Sequence, residues 1–147
     1  MKKIEKLDKN AFLKGANNGG IVKTTGRKIT HFRLSLGQTQ KEFISKLLEM
    51  TNLRIGQLIW QSILYTNTNE VSTSFLNEYI NFIYDKKHGI EMSIQKVMTS
   101  HDNLKSLSKS YKSLGYNIGI KGVVLLYLLN YAKNYLKMDI TKYKNFS

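Results

Sequence analysis

From His31 to Leu36 the chain alternates strictly. Phe32, Leu34 and Leu36 fall on one side, Arg33 and Ser35 on the other, with His31 extending the polar side. A period of two marks a strand with one buried face, expected over about residues 28–36 and ended by Gly37. The period then changes. Phe43, Ile44, Leu47 and Leu48 recur at three- and four-residue spacing, which predicts a helix over about 39–50. Thr51-Asn52 breaks it, asparagine tolerating the left-handed conformation at a helix end. Ile55, Leu58, Ile59 and Ile63 give a second helix over about 54–65, with Gly56 in its first turn and Trp60 and Leu64 widening the apolar surface.

The segments on either side are less regular. Residues 1–26 read as a flexible basic arm, broken by glycine and asparagine and solvated by lysine. Thr66-Asn67-Thr68-Asn69 is polar and poor in helix formers, which places a domain boundary there. Beyond it, Phe75, Leu76, Tyr79, Ile80 and Ile83 predict a helix over 71–86, stopped by Lys-Lys-His-Gly. A Ser- and Lys-rich helix is expected over about 102–114 and a strongly apolar one over about 120–137. The run Val123 to Leu129 is apolar all round and must be buried, yet it is far short of the roughly 20 residues a membrane span requires. No membrane association is expected.

Charge sharpens the picture. The 147 residues carry 23 Lys+Arg against 10 Asp+Glu, a formal net charge of +13, which favours polyanionic partners. The three arginines, Arg27, Arg33 and Arg54, all lie in the strand-bearing half. Arginine's planar fork recognises guanine edges and phosphate in pairs of hydrogen bonds that lysine cannot make. The chain contains no cysteine, so disulfides and thiolate metal sites are ruled out; together with the lack of a signal-peptide pattern, this predicts a cytoplasmic protein.

A short strand and two short helices, each with one apolar face, cannot bury that surface within about 40 residues. The expectation is that the strand pairs with its copy in a second subunit, giving an antiparallel ribbon on four helices. The segment HFRLSL–QKEFISKLLEM–TNL–RIGQLIWQSILY, His31 to Tyr65, resembles the ribbon-helix-helix family of DNA-binding proteins without a gap. The fold class expected is therefore mainly α with one short N-terminal strand: a basic arm (1–26), a ribbon-helix-helix domain (27–66) and a helical C-terminal module (67–147).

The resemblance implies which residues would meet double-stranded DNA. A ribbon fits the major groove, so His31, Arg33 and Ser35 would reach base edges, with Arg33 the main reader. The N-terminus of the second helix, at Arg54, Ile55 and Gly56, would hold a phosphate, and Arg27 and Lys28 would contact the backbone. Arg54 stands where the family usually has a capping Ser or Thr, which puts side-chain capping in doubt.

Two readings of residues 67–147 stay open. In one they form a helical module that joins dimers into tetramers, the protein as a whole being a homodimer or tetramer. In the other they are a degenerate second repeat, with a short strand near Ile94, a helix through Leu104, Leu107 and Tyr111, a turn at Gly115 and a final apolar helix. No enzyme signature, cofactor motif or metal-ligand spacing is present; His31, His88 and His101 read as surface residues. The length points to a plasmid relaxosome accessory protein acting at a transfer origin, with a relaxase as candidate partner. The alternatives are a repressor or partition protein of the same fold, or a basic scaffold that reads no sequence.

Overall fold

A computed structural model describes residues 31–85, 89–95 and 101–144. The described chain is mainly helical, with a two-stranded antiparallel sheet. Strand β1 (His31–Leu36) leads into α1 (Gln38–Thr51) and α2 (Ile55–Thr68). Two short helices follow, α3 (Thr73–Glu78) and α4 (Ile80–Ile83). The order strand–helix–helix then recurs with β2 (Ile90–Gln95), α5 (His101–Ser113) and α6 (Gly119–Asn134), before a 3-10 turn at Thr141–Tyr143.

The principal correction concerns the partner of β1. It pairs with β2 of the same chain, Leu34 opposite Met92 and Arg33 opposite Ser93, where a strand from a second subunit is expected. The physical reason lies in a second alternating stretch: Ile90, Met92 and Ile94 lie toward the helices while Glu91 and Ser93 are exposed. The second-repeat reading expects a short strand near Ile94, which is instead close to the end of the alternating stretch. The element order after residue 89 therefore follows that reading, with the strand four residues earlier.

Local chemistry explains the boundaries. Asn52 closes α1 at φ 58°, ψ 27°, and its N–H donates to the Leu48 carbonyl at 2.8 Å. Gln40 is fully buried in α1. Its Oε1 accepts from the Gly37 N–H at 3.1 Å and its Nε2 donates to the Phe82 carbonyl at 2.8 Å, tying the start of α1 to α4. Ser72 caps α3 by accepting from the Phe75 N–H at 3.1 Å. The single helix expected over 71–86 is broken at Tyr79, whose backbone leaves the helical region at φ -113°, ψ 14° while its side chain is buried in the core and packs on Phe75.

The hinge expected at 66–69 is the last turn of α2 and the residue that caps it, not a linker. Thr66 is buried, and the buried Asn130 of α6 donates through Nδ2 to Thr66 Oγ1 at 3.3 Å and to the Asn69 carbonyl at 3.0 Å. One hydrophobic core runs through Leu34, Phe43, Leu58, Leu76, Ile94, Leu104 and Val123. The two halves therefore share their interior, and His31 onward forms one compact unit. At its centre lies α6. Every residue from Gly122 to Ala132 is buried, which explains why its sequence has no polar face. No helix among the described residues is long and apolar enough to cross a membrane.

Candidate nucleic-acid interface

The ribbon has one face on the core and one in solvent. Leu34, Leu36 and Ile94 are buried, and Phe32 lies against the His101 ring with centroids 4.8 Å apart. His101 is thus a packing residue at the start of α5 rather than a free surface histidine. The alternation places His31, Arg33 and Ser35 together on the opposite side, as expected, with Glu91 and Ser93 beside them.

Arg33 occupies the middle of this face, directly opposite Ser93. Its guanidinium reaches diagonally to Glu91, with Nη1 3.4 Å from Oε1, and the two side chains are 73% and 59% exposed. An ion pair this open to water is worth at most about 1 kcal/mol. It orients the guanidinium along the ribbon but leaves its donors accessible.

The end of β1 is anchored from below. Lys121, in the first turn of α6, donates through Nζ to the Ser35 carbonyl at 3.0 Å and to the Asp85 carbonyl at 3.2 Å. Burial lowers its pKa, opposed by the Asp85 charge. This ammonium therefore fixes backbone and lies on the inner side of the ribbon.

At the start of α2, Arg54 has extended geometry, and no oxygen of its own caps the helix. The Gln57 Oε1 accepts from the Arg54 N–H at 3.2 Å instead. Arg54 itself is exposed, Ile55 half-buried and Gly56 buried. First-turn N–H groups of a helix have no intrahelical acceptor, which leaves this end suited to an anion. The remaining expected contacts, Arg27 and Lys28, lie outside the described residues, as do the arm at 1–26 and His88.

Glu91 and Ser93 are the residues of the ribbon's outer face that the resemblance did not name. The period-two pattern of IEMSI is the signal that would have found them. Among the described residues, no group of three or more His, Cys, Asp or Glu could hold a metal ion. Comparisons with protein-family models, curated proteins and solved structures gave no match for this chain.

Proposed function

We propose that this protein is a sequence-specific double-stranded DNA-binding protein whose ribbon enters the major groove, and that its fold is a ribbon-helix-helix dimer condensed into one chain. The observation that carries this reading is the exposed polar face of the ribbon. A guanidinium at its centre is flanked by hydrogen-bonding side chains, and the strands that carry them are fixed by Leu34 and Ile94 in the core beneath.

A paired strand of this width matches the major groove, and Arg33 has the fork needed for guanine O6 and N7. His31, Ser35 and Ser93 supply weaker donors and acceptors. Arg54 with the N–H groups of Ile55 and Gly56 forms the phosphate anchor that sets register. The net charge of +13 adds sequence-independent attraction.

The chain length that favoured a relaxosome role goes into closing the ribbon, since residues 90–134 supply its second strand and two of its helices. The proposed function is accordingly recognition of a DNA site, and the transfer origin of a plasmid is the first site to test. Homo-oligomerisation and a relaxase partner belong to that same proposal, as additions to a ribbon that one copy already completes.

Fluorescence anisotropy on two duplexes across a salt series tests it. One carries the repeats flanking the protein's own gene or a nearby transfer origin; the other is random sequence. Tighter binding to the repeats that persists at physiological salt is expected. Equal and steeply salt-sensitive binding to both would reduce the interaction to charge alone and end the proposal.

A further inference from the structure

A ribbon made from two copies of one strand has a two-fold axis through its middle, and its readable face is the same from either end. Such a face suits a palindromic core. The ribbon here joins HFRLSL to IEMSIQ, which differ at every outward position. One arginine lies at the centre opposite a serine. A carboxylate, Glu91, lies toward one end opposite Ser35, and His31 lies toward the other. The face therefore has a direction.

Resting on the DNA-reading function proposed above, we infer that Glu91 is a second base reader and that the protein recognises a non-palindromic site in one fixed orientation. A carboxylate is acceptor-only. In the major groove it can accept from an exocyclic amine, cytosine N4 first and adenine N6 next, and it is repelled by the acceptors O4 of thymine and O6 and N7 of guanine. Its position beside Arg33 makes the pair complementary. The guanidinium donates to guanine, and the carboxylate requires an amine at the neighbouring position on the side of Ser35.

The strand register, which places Glu91 one outward position from the partner of Arg33, sets this spacing before DNA arrives, and the two side chains already lie within 3.4 Å. A negative charge on a face that approaches phosphates also acts against wrong sites. It weakens every complex a little, and only an amine in register compensates. Glu91 thus has opposite effects on the two kinds of binding: it lowers affinity for random duplex and raises discrimination.

Selection of duplexes from a randomised library by the full-length protein, alongside Glu91→Gln and Arg33→Ala, tests this. The wild-type motif is expected to be asymmetric, with guanine at its centre and cytosine or adenine to one side. In Glu91→Gln, preference at that side position falls by about tenfold, guanine at the centre is retained, and affinity for random duplex rises.

A motif that is palindromic within the few base pairs one ribbon covers would overturn the inference and leave DNA reading intact, whereas two asymmetric half-sites in inverted order would uphold it for a dimer. A Glu91→Gln motif identical to that of the wild type would also overturn the inference and leave DNA reading intact. Failure to enrich any motif would overturn both. Glu91 is exposed and packs on nothing in the core, so circular dichroism of the variant should match wild type.

Discussion

Leu34 and Met92 stand directly opposite one another in the ribbon, although they belong to distant parts of one chain. That pairing removes concentration from the stability of the fold. A ribbon formed between copies would gain stability by mass action as protein concentration rises. This one should unfold with a midpoint that stays constant over a hundredfold range, within about 1 °C, when followed by circular dichroism. A midpoint that climbs with concentration would mean that the strand finds its partner in another molecule.

The inner face of the strand admits no charge. Leu34 is 2% exposed and packs in the shared core. Leu34→Asp buries an unpaired carboxylate and leaves the leucine's place unfilled, at a cost of more than about 4 kcal/mol. Loss of cooperative thermal unfolding is expected. A folded variant with a sharp transition would contradict the orientation of β1.

Arg33 offers the opposite case, a residue whose removal should spare the fold. Its side chain is 73% exposed, and it pairs with Glu91 across the ribbon. Arg33→Ala should change the unfolding midpoint little, while lowering the preference for target over random DNA by about tenfold or more. An unchanged preference in a binding titration would remove Arg33 from the reading face.

Alkaline pH should expose how the tyrosines are held. Burial pushes the Tyr127 phenol up to about 12, with the charge of Tyr111, its hydrogen bond and Glu70 adding to the shift. Tyr79, Tyr111, Tyr131 and Tyr143 are also raised above 10.0, chiefly by burial. In the unfolded chain these phenols ionise near 10.0, so the folded state binds more protons above that pH. Their contribution to stability is complete below pH 10 and is lost as pH rises through 10 toward 12. Lys121, lowered by burial from 10.5, acts in the reverse sense, but its effect is complete once pH has risen to 10.5, and it is one group against five. Urea midpoints measured at pH 8, 10 and 11 should therefore hold and then fall. A flat profile would show that the phenols are not protected by folding.

Much of the molecule was legible one segment at a time. The alternation of Phe32, Leu34 and Leu36 with Arg33 and Ser35 determined a strand with a buried and an open face. The spacing of Phe43, Ile44 and Leu47 determined α1, and Asn52 its left-handed end. The unbroken apolar run from Val123 to Leu129 required a central helix. Each is set by neighbours within a few residues, through backbone geometry and the partition of side chains between water and core.

The structure decided the pairings. Any exposed strand edge with matching register can satisfy the N–H and C=O groups of β1, so its alternation says nothing of where the partner lies. A second strand on the same chain is present at high effective concentration, and Ile90, Met92 and Ile94 give it the right inner face. Likewise Thr66 to Asn69 looks like a linker by composition. Asn130, from a distant helix, donates to Thr66 Oγ1 and to the Asn69 carbonyl and ties that stretch, with Thr66 buried, to the helix at the centre of the core. Local chemistry determined which face each element would bury; the contacts between distant segments determined what lies against it.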